Sequence, residues 1–282
     1  MNIINSNHFK LTLFPGLLFF CLLQLVFSGT VLAGESLSQI IEASHRSTEN
    51  ISRNSHRHPV ETLKFFELER DMTVVEIWPG AGGWYTEILA PYLRDKGTLY
   101  AAHFAADSEV KFFRDSLDKF KQKTANDPTI YDKIILSELD APRKVTLAPP
   151  GSADRVLTFR NVHNWLRQDE NGYYVFKAMY EALKPGGILG VVEHRAPADF
   201  SLEDMQTSGY TTEAFTIALA ERAGFKLLAK SEINANPKDN KHHPKGVWTL
   251  PPSLRLGDQD KEKYLAIGES DRMTLKFIKP KK

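Results

Sequence analysis

Three polar side chains follow two predicted strands, at positions where they could carry out proton transfer. His163 comes after the strand at 154–159, and Glu193 and His194 come after the strand at 188–192. An imidazole or a carboxylate at such a position can remove a proton from a bound nucleophile. The alternatives are that His163 only pins its loop and that Glu193 and His194 form a buried, hydrogen-bonded pair. We take the three residues as catalytic candidates, with both alternatives open.

A glycine turn earlier in the chain is typical of a nucleotide site. The β-branched run at 73–77 predicts a buried strand, and Gly80, Gly82 and Gly83 follow it. A helical pattern comes next. Strand, glycine turn and helix let the backbone approach a ligand and present free N–H groups to it. Glu76, near the end of the strand, can accept hydrogen bonds there, although an ordinary tight turn uses the same glycines.

Further aromatic and imidazole side chains give weaker indications. Trp84, Tyr85 and Trp165 would form an aromatic wall or pack in the core. His242 and His243 are adjacent in a Lys- and Pro-containing loop, without a third ligand at zinc spacing, so we predict no metal site.

Strands and helices alternate along most of the chain, which predicts an α/β fold. The predicted strands are at 73–77, 97–104, 134–136, 154–159, 188–192, 225–228 and 273–278. Helical patterns between them indicate a mostly parallel sheet with helices on both faces. We expect Asp107 to cap the helix after the second strand, and Thr211 or Thr212 to cap the helix that Gly224 ends.

The last two strands have no helical pattern between them. A Pro- and Lys-rich segment, 234–270, connects them instead. Without a crossover helix the two strands should pair as a hairpin, so we expect a seven-stranded sheet with an antiparallel edge strand. A connection of this length is uncommon unless it is functional.

The first 33 residues resemble a secretory signal peptide. Lys10 is the only charged residue before the end of the apolar run 11–33, which closes on Val-Leu-Ala. We expect cleavage after Ala33, a helical extension at 34–72 and one domain at 73–282. An uncleaved segment would instead anchor the protein in the inner membrane, with the rest of the chain facing outward.

Charge and cysteine content limit the classes of partner and of chemistry that the protein can have. Without residues 1–33 the chain keeps 35 basic and 35 acidic residues, and a neutral chain does not attract nucleic acid by bulk charge. Cys21 is the only cysteine, so the mature protein would have no disulfide or thiolate. We expect a small-molecule or lipid-like partner and no nucleic acid, with the membrane a partner only if the signal segment is uncleaved. The oligomeric state stays open.

Four motifs in this order resemble class I S-adenosylmethionine (SAM)-dependent methyltransferases. They are the glycine turn after Glu76, Leu139-Asp140-Ala141, the segment Asn161–Trp165 and Leu183-Lys184-Pro185-Gly186-Gly187. The turn Trp78–Thr86 is similar to that of predicted exported methyltransferases of Gram-negative bacteria. The resemblance covers about residues 74–279 and implies a Rossmann-like class I methyltransferase fold with SAM as cofactor.

The resemblance also implies roles for individual residues. Glu76, Gly80 and Gly82 would line the methionine and ribose end of SAM. Asp140 would lie beside the adenine, and Asn161 near the methionine portion. These residue types suit SAM, because its ammonium and sulfonium favour hydrogen-bond acceptors and its adenine needs an apolar slot with one polar edge.

Two further cofactor positions, Trp78 and His103, depart from the family pattern. Trp78 stands where the family has glycine. Its indole would either fill the cofactor crevice or fold back beneath the turn, and we expect it to fold back. His103 stands where an acid normally holds both ribose hydroxyls, whereas a neutral imidazole offers one donor and one acceptor. Asp107 could substitute for that acid.

We expect an exported SAM-dependent methyltransferase that acts in the periplasm on a small or lipid-like acceptor. The alternative is a catalytically inactive binding protein that keeps the fold. Three features favour this alternative: Trp78, His103, and export out of the cytoplasm, where SAM is made. An NAD-dependent oxidoreductase is less consistent with the sequence, because the turn lacks the third glycine of the dinucleotide motif.

Overall fold

A computed structural model describes residues 36–167 and 170–281. The strands are β1 (Thr73–Ile77), β2 (Thr98–His103), β3 (Ile135–Glu138), β4 (Ala153–Phe159), β5 (Leu183–His194), β6 (Lys226–Ser231), β7 (Pro244–Val247) and β8 (Arg272–Ile278). The helices are α1 (Leu37–Ile40), α2 (Thr48–Ser52), α3 (Asn54–Arg57), α4 (Pro59–Phe65), α5 (Thr86–Leu93), α6 (Lys111–Asn126), α7 (Pro128–Tyr131), α8 (Asn171–Ala182), α9 (Leu202–Ser208), α10 (Glu213–Ala223) and α11 (Lys261–Ile267). A 3₁₀ helix, Val162–Arg167, follows β4. The predicted signal segment lies outside the described residues.

Seven of the strands form one sheet in the order β3-β2-β1-β4-β5-β8-β6. Neighbours from β3 to β5 are parallel, and β8 is antiparallel to both β5 and β6. The predicted fold class is confirmed. The edge strand β6 pairs antiparallel with β8. Strand β8 lies one place in from this edge, and its direction is opposite to that of the other six strands of the sheet. The carboxyl ends of β1, β4 and β5 therefore meet at one edge.

The connection between β6 and β8 has structure of its own. It contains β7, which lies outside the sheet, and α11. The side chain of Asn234 donates hydrogen bonds to Thr62 and Thr274, each over 3.0 Å. Asn236 donates to the Ile267 carbonyl over 2.9 Å. These bonds hold the connection against the N-terminal helices and the sheet.

Capping confirms one predicted helix and corrects another. Thr212 caps α10 through its hydroxyl, and Gly224, at φ 111°, ends it as predicted. Asp107 does not cap the helix after β2, because α6 begins after Val110 without a side-chain cap. Asp107 instead pairs with Arg143 over 2.6 Å.

Strand β5 begins at Leu183, five residues before the predicted strand. Leu183 pairs with Ala153 of β4, and the register shifts before the next pair. The Gly186 N–H donates to the Lys279 carbonyl over 2.7 Å, and the Lys279 N–H donates to the Gly187 carbonyl over 2.9 Å. The Lys-Pro-Gly-Gly segment ends α8 as predicted, and it continues as strand because the C-terminal segment pairs with it.

The N-terminal extension packs on one face of the sheet. Phe66, beyond α4, belongs to a buried cluster with Val74 of β1, whereas Val75 belongs to a second cluster. Successive strand residues face opposite sides of a sheet, so the two clusters cover its two faces. The helix predicted at 36–46 is shorter, since only 37–40 are helical before turns lead to α2. No helix in the described ranges is long and apolar enough to span a bilayer.

Candidate active site

Two adjacent cavities open at the carboxyl edge of the sheet. The first cavity, of about 250 Å³, is lined by residues that follow β1, β4 and β5 and by parts of the β6–β8 connection. The second cleft, of about 860 Å³, is lined by residues that follow β2 and β3 and by parts of α6 and α8. Trp78 and Trp248 line both. This is the edge at which α/β sheets bind ligands.

His163 and Glu193 come together beside the first cavity. The Nδ1 atom of His163 lies 3.0 Å from Oε1 of Glu193. Glu193 is fully buried, and its carboxylate also accepts the backbone N–H groups of His163, over 3.3 Å, and His194, over 2.7 Å. His163 lines the cavity. The carboxylate therefore fixes one ring nitrogen, and the imidazole remains at the cavity wall.

His194 lines the same cavity from the end of β5. Its Nδ1 shares a hydrogen bond of 2.5 Å with the hydroxyl of Ser270. Burial lowers the pKa of His194 well below its ordinary value, and the nearby His163 and Arg160 lower it further. His194 is thus neutral at physiological pH.

The ligand atoms of His163, Glu193 and His194 lie within 4.8 Å of one another, a spacing that a metal ion can use. Sequence reasoning did not predict this cluster. Both oxygens of Glu193 already accept hydrogen bonds from protein N–H groups. Positive side chains also depress the pKa of His194, and the same charge repels a cation. The cluster is better suited to moving a proton than to holding a metal.

Glu76 and Gly80 line the first cavity. Glu76 is buried and accepts a hydrogen bond of 2.6 Å from the Thr86 hydroxyl. Burial raises the pKa of Glu76 to about 7. Gly80 has φ 72°, a conformation that favours glycine.

Asn161 also lines the first cavity. Its amide donates to the Ile77 carbonyl over 2.9 Å and to the Thr158 hydroxyl over 3.2 Å. Asn161 therefore ties the end of β4 to the end of β1, so that its side chain shapes the crevice floor.

Trp78 lies in the crevice and does not fold back beneath the turn, contrary to our expectation. Its indole N–H donates to the Leu139 carbonyl over 3.1 Å. Its ring packs 4.6 Å from Phe104, 5.8 Å from Phe113 and 5.6 Å from Trp165, between ring centroids. The backbone φ is 44°, a region that favours the glycine of the family. The ring is half-buried and stands where the two cavities meet.

Asp140 lines the second cleft together with Leu139 and Ala141. Its carboxylate accepts a hydrogen bond of 3.0 Å from Arg143 Nε. Asp107 lines the same cleft and pairs with the same arginine. The cleft therefore combines acidic groups with aromatic side chains.

His103 and Gly82 are not at either cavity in the structure. His103 is fully buried, and its Nδ1 accepts the Phe104 N–H over 2.8 Å. Burial lowers the pKa of His103 to about 4. Gly82 is exposed, and its carbonyl accepts from the Lys123 ammonium over 2.6 Å. The structure therefore does not bring these two residues together with the other cofactor candidates at the first cavity or the second cleft.

Sequence reasoning missed several residues of the first cavity. Arg160 follows β4 directly, so its place at the strand end was a usable signal. Glu269, Ser270 and Trp248 come from the β6–β8 connection, whose unusual length was the available sign of a role. By contrast, His243 bonds Asp239 over 2.8 Å and lies outside the first cavity and the second cleft.

Comparison with known proteins identifies the fold. No protein-family model and no curated protein sequence matches the chain. Among solved structures, a SAM-dependent methyltransferase from Aquifex aeolicus has a TM-score of 0.53 at 15% identity, over 87% of this chain and 99% of that one. The [4+2]-cyclase SpnF has a TM-score of 0.55 at 16% identity, over 85% and 86% of the two chains. The chain therefore has the class I methyltransferase fold.

Proposed function

We propose that the protein is an exported SAM-dependent methyltransferase whose small acceptor carries a proton on its nucleophilic atom. The observation that supports this best is the His163–Glu193 pair, which lies at the same cavity as Glu76 and Gly80. Methyl transfer to a protonated nucleophile needs a general base close to the methyl-bearing end of the cofactor, and this arrangement would place both at one cavity.

The residues fit the two ends of SAM. Glu76, a buried acceptor beside Gly80, suits the charged methionine end in the first cavity. Asp140, with Phe104 and Ala141, suits the adenine in the second cleft. Trp78 lies between, and we propose that its ring is the wall against which the cofactor lies. When bound, SAM supplies an electrophilic methyl group on its sulfonium.

The chain's own residues would then handle the acceptor's proton. Glu193 accepts a hydrogen bond from Nδ1–H of His163. The other ring nitrogen, Nε2, is then free to take a proton from the methyl acceptor. The connection 247–253 covers part of the cavity and would limit access of water. A cavity of about 250 Å³ favours a small acceptor over a lipid-like one.

A second candidate is a periplasmic binding protein without methyl transfer. The position of Trp78 where the cavities meet favours it, because a fixed indole there would separate the two ends of the cofactor site. A cyclase that shares the fold is a reminder that fold alone does not determine activity.

A transfer assay with methyl-labelled SAM tests the proposal. The mature protein is incubated with the small-molecule fraction of the cell envelope, and label is followed in the products. We expect transfer, reduced about 10²- to 10⁴-fold in His163→Ala, the range for loss of a general base. SAM affinity should be unchanged in that variant, and exposed His242→Ala should behave like the parent. Ligand capture without any transfer would favour the binding protein.

A further inference from the structure

Four arginines lie close to Glu269 at the first cavity. Glu269, which lines the cavity, lies 2.7 Å from Arg53, 3.1 Å from Arg57 and 3.2 Å from Arg272. Arg160 lines the cavity as well and is close enough to lower the pKa of Glu269 further. Glu269 is thus shared among the arginines. The other two carboxyl groups at the cavity are engaged elsewhere, since Glu76 accepts from Thr86 and Glu193 accepts from His163 and His194.

Arg160 is the member of this group without a protein partner. Within the described ranges, its guanidinium makes no hydrogen bond and no salt bridge, while its backbone N–H donates to the Val192 carbonyl over 2.7 Å. Its φ of 62° is unusual for a residue with a side chain. Burial lowers the pKa of Arg160 to about 10, so the group stays charged at physiological pH. A half-buried, unpaired guanidinium is unfavourable unless an anion pairs with it.

Aromatic side chains form further walls of the cavity, beside the polar groups described above. Tyr85 and Phe159 stack with 3.5 Å between ring centroids, and both line the cavity. Trp84 and Trp248 complete these walls. Aromatic walls favour a flat ligand body, and the volume of about 250 Å³ admits only a small one.

We propose that the first cavity binds a small organic anion, a carboxylate on a flat apolar body, with the carboxylate paired to Arg160. His163 and His194 line the same cavity as Arg160. The proposal names the acceptor class for the methyltransferase and equally the ligand class for a binding protein, so it does not depend on methyl transfer.

Calorimetry with benzoate and its neutral isostere benzamide tests this inference. We expect benzoate to bind the mature protein and benzamide to bind at least about tenfold more weakly. Arg160→Gln should lower benzoate affinity about 10- to 100-fold, the range for losing a charge-assisted hydrogen bond, and should abolish the preference over benzamide. Arg160→Lys should keep part of the preference, and Arg222→Gln, an exposed arginine, should keep all of it.

Equal binding of benzoate and benzamide, or unchanged benzoate affinity in a folded Arg160→Gln, would overturn the inference. A second arm addresses the methionine carboxylate of SAM as the anion. If Arg160→Gln weakens SAM but not 5′-methylthioadenosine, and benzoate does not bind, the guanidinium serves the cofactor and the inference is wrong. Benzoate binding without SAM binding would contradict the proposed methyltransferase function and would support the organic-anion site.

Discussion

At the residue scale, Trp78 stands where the two cavities meet. Its indole is anchored by the Leu139 carbonyl and by three aromatic rings. Such an anchor makes the ring a fixed surface, and fixed aromatic surfaces bind purines by stacking, at about 1–3 kcal/mol per base.

Trp78→Gly should therefore weaken SAM binding and lower thermal stability. The stability loss should stay below the about 3–5 kcal/mol typical of buried tryptophan truncations, because the ring is half-buried and glycine relieves the positive φ. Thermal melts and calorimetry with SAM measure both effects. Trp78→Phe, which keeps an aromatic face, is the matched control. Tighter SAM binding by the glycine variant would mean that the ring obstructs the site.

Glu76 should make stability depend on pH in a defined direction. Burial raises its folded-state pKa from 4.5 to about 7, so the folded protein holds the proton more tightly than the unfolded chain. The stabilisation is complete below pH 4.5 and is lost as pH rises through about 7. Its full size is on the order of 3 kcal/mol.

Denaturant melts from pH 4 to 8 should show this loss in the parent and much less of it in Glu76→Gln. Asp258→Asn, at a fully exposed carboxylate, should retain the parent's slope. Parallel curves for the parent and Glu76→Gln would show that Glu76 is not a buried, protonated acid.

The shared position of the catalytic candidates could be predicted because each lies at, or a few residues beyond, the carboxyl end of a strand. His163, Glu193 and His194 share one edge whatever the details of packing, since parallel strands end together. The direction in which a side chain turns depends on neighbours distant in sequence. His103 turns inward against Phe120, and Trp78 turns into the crevice toward Phe113. No local pattern contains that information.

At the element scale, the N-terminal extension is part of the fold. Phe66 packs so closely on β5 that a methyl group added at Gly190 would lie 2.7 Å from its ring. Arg155 of β4 also donates to the Phe66 carbonyl over 2.7 Å. The extension and the sheet therefore form one packed unit.

Gly190→Ala should destabilise the protein by about 1–3 kcal/mol, the usual cost of overpacking a core. Gly82→Ala is the control, because an added methyl group there meets nothing within 4 Å. Urea unfolding of both variants measures the difference. Equal stability of the two would mean that the extension is not packed on β5 as described.

Strand positions were predicted well where apolar runs are bounded by glycine or proline. They were predicted poorly where a distant partner sets the boundary. β5 starts at Leu183 because Ala153 and Lys279 supply its partners, and these lie far away in sequence. The β6–β8 connection was identified as unusual by its length, whereas its contribution to the first cavity depends on tertiary folding.

At the scale of the whole molecule, export remains a prediction from residues 1–33. We expect a mature N-terminus at Gly34, found in the periplasmic fraction of a Gram-negative source. N-terminal sequencing of the protein from fractionated cells checks this. Full-length protein in the cytosol would contradict export, and full-length protein in the inner membrane would support the anchored form.

The central claim is that this fold still binds SAM. Isothermal calorimetry of the mature protein with SAM, S-adenosylhomocysteine and NAD tests it most directly. The account predicts saturable binding of SAM and S-adenosylhomocysteine, with Asp140→Ala weaker by about 1–3 kcal/mol through a lost hydrogen bond, and no binding of NAD. A folded protein that binds neither SAM nor S-adenosylhomocysteine would contradict the account.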